Sequence, residues 1–192
     1  DPTGAWRNFQ FIPVAGGIPD HPYLGYDDTK IAIGARKFNP SFSGPDIYLV
    51  DKAAFLANTA ITFGTNAQTI SASSAQGDCP RPVTVYFPPY SNTGNPQPGT
   101  MYIIQNWSNN SLRLSTITGT IPSCTWNTAT AVFPTAPDSW TAGNMGNSIP
   151  QQAPETRLIA GNDGRMSSAV MMKDRKSTRL NSSHSSVSRM PS

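Results

Sequence analysis

The sequence predicts an all-β protein, and three features carry that prediction. Apolar residues occur in short bursts, such as Ile31–Ile33, Ile47–Val50 and Tyr102–Ile104, which are too short to span a bilayer. The chain of 192 residues is rich in Pro, Gly, Ser, Thr and Asn, which favour turns. Charged residues make up 13% of it, and this low content with scattered aromatic residues argues against disorder. Many short strands separated by turns are typical of a sandwich, a barrel or a propeller.

The first part of the chain contains three predicted strands. Residues 5–13 carry large apolar groups on both faces, which indicates a strand that is covered on both sides. Residues 20–28 are predicted to form a turn-rich approach to the next strand, at 30–38, where apolar residues alternate. A loop then leads to a third strand at 46–50.

The middle of the chain is predicted to be less regular. Asp51 is a suitable N-cap for one or two turns of helix over 52–57, and so short a helix must pack on the sheet to be stable. A short strand is predicted at 60–63 and a polar surface loop at 65–78. Residues 83–87 form a predicted strand between prolines, which cannot join a central ladder.

The last predicted strands form hairpins. Residues 100–107 and 112–117 are expected to pair across an Asn-rich turn, and a Thr- and Val-rich strand follows at 125–133. Residues 157–160 and 165–172 are predicted to pair around an Asp-Gly turn. A propeller blade has about forty to fifty residues, so the chain holds roughly three or four blades' worth of strands. The sequence has no strict repeat that would distinguish a propeller from a sandwich or a barrel.

The segment 174–192 looks foreign to the protein. Its sequence, DRKSTRLNSSH, three variable residues and SRMPS, resembles the translation of a common sequencing adapter with its sample index. Foreign segments are set aside before fold reasoning, and we expect this tail to be non-native and disordered. Its four basic residues and Asp174 account for the whole net charge of +3. The remaining chain is neutral and has no basic patch that would indicate a nucleic-acid partner.

Several segments, in this order along the chain, resemble a group of large secreted bacterial proteins of uncertain function. The group's patterns are DPTG-W, D-[YF]-P-x-[LI]-G, a strand that ends in D-K-[AS]-x-L-L, S-L-R-L-x-x-[IV]-T-G, and a proline-glutamine loop before D-x-R-L. The matching segments here are Asp1–Trp6, Asp20–Gly25, Ile47–Ala57, Ser111–Gly119 and Ile149–Leu158. His21 stands where an aromatic residue is usual, and Glu155-Thr156 replaces an acidic pair.

The resemblance implies a β-propeller-like domain that is exported from a bacterial cell, to the surface or the medium. Residues 1–173 are then expected to be an incomplete β-propeller-like domain, a partial β-propeller truncated at both ends. An open arc of blades exposes edge strands, so a further alternative is that this piece does not fold alone. The family offers no catalytic motif that could be transferred to this chain.

Two residues near the start of the body are candidates for ligand binding. Asp20 and His21 could supply a ligand or a general base from a loop. The alternative is a turn, in which Asp20 bonds nearby backbone groups and Pro22 fixes the chain.

Trp140, in a loop rich in Pro, Gly and Asn, is the best candidate for an exposed aromatic residue that binds sugar. The chain has five other aromatic residues that could belong to such a platform, and the alternative for all of them is packing between blades. They are Trp6, Tyr23, Tyr26, Trp107 and Trp126.

The two cysteines, Cys79 and Cys124, could form one disulfide in a β-rich, loop-rich exported chain. The alternative is that they are two unrelated small buried residues.

We expect no metal site, no cofactor and no catalytic constellation. His21 is the only histidine outside the tail, which rules out a three-His metal site in this piece. The body has no Gly-x-Ser-x-Gly elbow and no Gly-rich phosphate loop. The sequence therefore favours a non-catalytic surface binding or adhesion module with an extracellular ligand, glycan or protein. The alternative is part of a secreted hydrolase that acts on polysaccharide and whose key residues lie on other blades.

If the tail is foreign, it contributes nothing to the stability of the folded part. Deleting residues 174–192 should leave the thermal unfolding of the folded material unchanged, within about 1 °C, because no contact of the domain is lost. Differential scanning calorimetry of the two chains measures this. A clear drop in the transition temperature of the shortened chain would show that the tail packs on the domain.

Overall fold

The computed structural model describes residues 3, 17–85, 97–108, 111–128, 132–134, 147–149, 159–160 and 169–171. The described chain is all-β, and most of its strands lie in two antiparallel sheets. The strand predicted at 5–13, Trp140 and the tail fall outside these residues.

The first sheet is a meander of four strands that lie side by side in chain order. They are β1 (Ile18–Tyr26), β2 (Lys30–Phe38), β3 (Phe42–Asp51) and β4 (Ala67–Ser71). The bounds predicted for β2 are confirmed, and β3 includes the strand predicted at 46–50.

The predicted turn at 20–28 is wrong, because most of this segment belongs to β1. Its prolines are tolerated because β1 lies at the edge of the sheet, where a missing N–H costs no ladder bond. A register shift between Asp20 and Tyr23 accommodates His21, whose backbone has φ of 50°. The segment is therefore a bulged edge strand.

The predicted loop at 65–78 is also partly wrong, because it contains β4. The strand AQTIS has no apolar alternation, so its pattern did not distinguish it from a loop. The strand predicted at 60–63 is absent from the described chain, where only a single bridge joins Phe63 to Ala67. The short helix α1 (Lys52–Leu56) confirms its prediction, because the side chain of Asp51 caps it by accepting a hydrogen bond of 2.8 Å from Ala54 N.

The next strands of the chain are β5 (Arg81–Pro82), β6 (Thr84–Val85), β7 (Met101–Ser108), β8 (Ser111–Thr118), β9 (Thr125–Asn127) and β10 (Val132–Pro134). All of them except β6 belong to the second sheet. β5, β7, β8 and β10 lie side by side in that order, and β9 also pairs with β8. The hairpin of β7 and β8 is confirmed, whereas the single strand predicted at 125–133 is two short strands.

The last three strands are β11 (Asn147–Ile149), β12 (Ile159–Ala160) and β13 (Val170–Met171). β12 pairs with β11 and β13 pairs in parallel with β6. The turn of the hairpin predicted between 157–160 and 165–172, and the residues that would pair next to it, lie outside the described residues. A local Asp-Gly turn signal cannot reveal that both strands have partners elsewhere in the chain.

The two sheets face each other across a shared apolar core. Its buried members are Ala32, Ile47 and Leu49 from the first sheet, Met101, Ile103, Ile117 and Trp126 from the second, and Cys124. Removing this apolar surface from water is the main favourable contribution to holding the sheets together.

Strand β5 crosses unusually close to the first sheet. A Cβ atom on Gly34 of β2 would overlap the carbonyl oxygen of Pro80, and one on Gly25 of β1 would overlap the backbone of Pro82. Both positions therefore need glycine for lack of space, because neither has a positive φ. The close approach brings the first strands of the two sheets together.

Replacing Gly34 with alanine should destabilise the fold by about 2–3 kcal/mol, because the new methyl group would have to displace backbone rather than a side chain. The free energy of urea unfolding measures this. Gly17→Ala is the matched control, since its Cβ would meet chiefly the flexible side chain of Lys37, 2.6 Å from Cγ. Equal losses in the two variants would contradict the close approach of β5.

Candidate functional site

A groove with a volume of about 460 Å³ lies between β4 of the first sheet and the segment that contains β9 of the second. One wall consists of Gln68, Thr69, Ile70, Ser71 and Ala72, and the other of Cys124, Thr125, Trp126 and Thr128, with Gln76 beside them. The polar groups that these side chains offer are hydroxyls, amides and an indole. None of the ten lining residues carries a charge.

The side chain of Gln68 joins the two walls. Its Nε2 donates to the carbonyl oxygen of Cys124 at 2.8 Å, and its Oε1 accepts from the amide of Cys124 at 2.8 Å. The amide group of Gln68 thus bonds the peptide of Cys124 as a neighbouring strand would. This two-point contact fixes the distance between the sheets at this position.

Gln76, in a short 3-10 helix at Ser74–Gln76, connects the groove to a buried polar cluster. Its carbonyl oxygen accepts from Arg113 Nη2 at 2.6 Å and from Gln105 Nε2 at 3.1 Å. Arg113 Nη2 also donates to Gln105 Oε1, and Gln105 Nε2 to the carbonyl oxygen of Asp78. The guanidinium is therefore held by neutral oxygens.

Arg113 also contacts the two tryptophans of the second sheet. Its Cζ atom lies 4.0 Å from the ring centroid of Trp107 and 6.0 Å from that of Trp126, which is a cation–π arrangement. Burial lowers the pKa of Arg113 from its ordinary value. Trp126 Nε1 donates to Ser115 Oγ at 2.9 Å, which fixes the indole that lines the groove.

The predicted ligand residues Asp20 and His21 lie in a second cluster, outside the groove lining. His21 Nε2 is 3.9 Å from Asp20 Oδ1, and Arg36 Nη1 is 3.8 Å from Asp20 Oδ2. Arg36 Nε lies 2.7 Å from Asp78 Oδ1, as an ion pair whose N–H is not directed at the oxygen. Asp20 and Arg36 are register partners on β1 and β2, so the sheet itself brings these charges together.

The aromatic residues in the described part of the chain do not form one platform. Tyr23 stacks under the buried Arg81, whose Cζ is 3.5 Å from the ring centroid, and Tyr26 contacts Lys52 at 4.9 Å. Trp107 and Trp126 flank Arg113. Each of these four rings has a cationic neighbour, and Tyr26 and Trp107 are partly exposed. Trp140 and Trp6 lie outside the described residues.

The disulfide between Cys79 and Cys124 is not formed, although both residues are described and both are buried. The thiol of Cys124 lies in the core between the sheets and donates to the carbonyl oxygen of Gly119 at 3.4 Å. The alternative of two separately buried cysteines agrees with the structure. Burial is the main cause of the raised pKa of the Cys124 thiol, which keeps it protonated and unreactive.

Asp27 and Asp46 are both fully buried, and Asp46 lies on the other face of the first sheet. Its Oδ1 is 2.9 Å from Lys37 Nζ, and its Oδ2 accepts from the hydroxyl of Tyr48 at 3.2 Å. Both oxygens are engaged by neighbours of the same sheet, so this carboxylate is structural. Burial, and then the charge and hydrogen bond of Asp46, raise the pKa of Tyr48.

Among the described residues, no group of three His, Cys, Asp or Glu side chains could hold a metal ion. No helix in the same part of the chain is long and apolar enough to cross a membrane. No protein-family model matches the sequence, and no curated protein or solved structure matches it.

Sequence reasoning missed most of the groove. Gln68, Thr69, Ser71 and Gln76 lie in the segment that was predicted to be a surface loop, and neutral amides and hydroxyls carry no recognisable chemical pattern. Arg113 was recognised only as part of a strand. The sequence signal for a buried Arg113 is its position in β8, where every second residue faces inward. Arg113 shares the buried face with Ser111, Ser115 and Ile117.

The raised pKa of Tyr48 predicts an alkaline limit to stability. Between the ordinary tyrosine value of about 10 and the higher value in the fold, the unfolded chain loses this proton while the folded chain keeps it. Stability is therefore complete below a pH of about 10 and falls as the pH rises further. Urea unfolding between about pH 8 and pH 11 measures the slope, and Tyr48→Phe should reduce it. An unchanged slope in that variant would show that Tyr48 is not responsible.

Proposed function

We propose that the two sheets are consecutive blades of a β-propeller from an exported bacterial protein. The first sheet is a meander of four strands, which is the usual composition of a blade, and the second has β5, β7, β8 and β10 side by side with β9 also paired to β8. Equivalent strands lie near each other, since β5 packs against β1 while β4 and β9 flank the same groove. This is the arrangement expected of neighbouring blades that face each other. The sequence resemblance to large secreted bacterial proteins supports the same assignment and an extracellular location.

Within that protein this part acts as a non-catalytic binding module at the cell surface, and its ligand occupies the groove between the two sheets. The observation that carries the proposal is the uncharged lining of that groove by hydroxyls, amides and an indole. Such groups recognise a neutral polar ligand by hydrogen bonds and by contact with an aromatic ring. Extracellular glycans and uncharged protein segments are both neutral polar ligands that can make such contacts.

A hydrolase that cleaves polysaccharide would need two carboxyl groups about 5–10 Å apart, on either side of the bond. The groove lining contains hydroxyl and amide groups where such an enzyme needs an acid and a base. Binding without turnover is therefore the function that this geometry supports best.

Thr125→Arg tests the site, because it places a charged and bulky side chain on one wall of a neutral groove. The probes are cellohexaose, xylohexaose, mannohexaose and chitohexaose, together with a panel of uncharged peptides, measured by isothermal titration calorimetry. We expect at least one probe class to bind the wild-type chain and to bind this variant at least about tenfold more weakly.

Thr65→Arg is the control, since Thr65 is an exposed threonine in a turn away from the groove lining, and it should bind as the wild type does. Sugar products released from any of the four oligosaccharides would contradict the non-catalytic assignment. Failure of both probe classes to bind would contradict the binding function itself.

A further inference from the structure

The hydrogen-bond pattern of β4 leaves part of its backbone facing away from β3. Ala72 N donates to Pro45 O at 3.0 Å, and Asp51 N donates to Asn66 O at 2.9 Å, at the two ends of the ladder between β3 and β4. Since antiparallel bonding alternates, the residues of β4 that bond β3 are Gln68 and Ile70, between these ends. The N–H and C=O groups of Thr69 and Ser71 therefore point away from β3.

These outward groups have no partner in the described structure. β4 is the edge of its sheet: its ladder is with β3, and its one further bridge in the described chain joins Ala67 to Phe63. The outward carbonyl of Ala67 is taken by Gly64 N at 2.9 Å, but no hydrogen bond engages the backbone of Thr69 or Ser71. The enclosed hydroxyl of Thr69 also has no hydrogen-bond partner. Both residues line the groove.

The opposite edge of the same sheet, β1, is protected against pairing with another strand, whereas β4 lacks such protection. β1 contains Pro19 and Pro22 and a register shift beside His21, and each of these features discourages another strand from pairing. β4, with the sequence AQTIS, has no proline, no charge and no register shift. It is the kind of edge to which an extended chain can add.

The walls of the groove favour a single peptide segment over a second copy of this chain as the occupant of the space beside β4. Its far wall, at Cys124–Thr128, belongs to the other sheet and stands opposite β4. A second copy would have to bring the whole sheet behind its own β4 into this space, whereas a single extended segment has no sheet behind it. The uncharged lining favours a segment without charges, because a charge would lose its hydration there without gaining a partner.

We propose that the ligand of the groove is an uncharged, extended segment of another protein, which adds to β4 as a further strand. The backbone of the segment bonds the N–H and C=O groups of Thr69 and Ser71, and its side chains meet the hydroxyls and amides of the two walls. Five residues of β4 give an edge of about 17 Å, enough to register a segment of similar length. This inference rests on the groove being the binding site, as proposed above, and names its ligand class.

Ser71→Pro removes one outward N–H without breaking the ladder, because Ser71 does not bond β3. Ser71→Ala is the matched control, which loses the hydroxyl and keeps the N–H. The probe is a fluorescent library of peptides of about seven residues, built from Thr, Val, Ser, Gln and Asn. We expect the best binder to lose about tenfold in affinity with the proline variant and less than about threefold with the alanine variant. Unchanged circular dichroism and thermal unfolding of both variants would show that the fold is intact.

N-methylation of the best peptide provides a second test that does not alter the protein. A strand presents alternate N–H groups to its neighbour, so methylating one alternating set should abolish binding and methylating the other should leave it within about threefold. Equal effects of the two sets would overturn strand addition. Loss of binding in both Ser71 variants would also overturn it, since the side chain would then be the contact.

The remaining outcomes separate this inference from the proposed function. Binding of a neutral oligosaccharide in the groove without any peptide binding would preserve the binding function and overturn the peptide ligand. A concentration-dependent dimer in sedimentation velocity that Ser71→Pro abolishes would identify a second copy as the occupant and overturn it too. Failure of peptides and oligosaccharides alike would overturn both.

Discussion

The packing of two sheets face to face is the constraint on which the rest of this structure depends. Apolar side chains form the centre of the contact, but apolar packing is non-directional and does not by itself fix how the two faces are aligned. Directed polar contacts do so beside the groove. Gln68 bonds the peptide of Cys124, and Arg113 and Gln105 bond the carbonyl oxygen of Gln76. The separation of the sheets is therefore defined at more than one place.

The same contacts explain why a groove exists beside β4. Gln68 bonds the peptide of Cys124 with both ends of its amide group, so the two walls are held at a fixed separation. The buried guanidinium of Arg113 supports the neighbouring Gln76 through neutral oxygens, and a buried charge of this kind would be costly without such bonds. The polar cluster behind the groove thus gives its walls a rigid support.

Local signals in the sequence predicted much of the fold. The bounds of β2, the hairpin of β7 and β8, and the cap at Asp51 all follow from alternation or from neighbouring residues, and the structure confirms them. The partners of β12 and β13 could not be predicted, because they lie far away in the sequence. The polar strand β4 was missed for a different reason. Its sequence AQTIS places apolar and polar side chains together on each face, so no contrast in hydropathy marks it as a strand.

The candidate site was the least predictable part, and its chemistry explains why. Asp20 and His21 could be proposed as candidates because carboxylates and histidine have recognisable roles, although they lie outside the groove. The groove offers backbone groups of Thr69 and Ser71, which every residue type has, so no pattern of residue types can reveal them. Only the ladder between β3 and β4 shows which way these groups point.

An edge strand such as β4 is also an aggregation hazard, which natural sheets usually counter with charge, proline or a bulge. β1 has such protection and β4 does not, although both are edges of one sheet. In the arrangement that we propose, the facing wall at Cys124–Thr128 obstructs an incoming sheet more than it obstructs a single extended chain. The proposed peptide ligand and the hazard of pairing between sheets are then two sides of the same feature, an edge strand whose backbone groups have no partner within the described sheet.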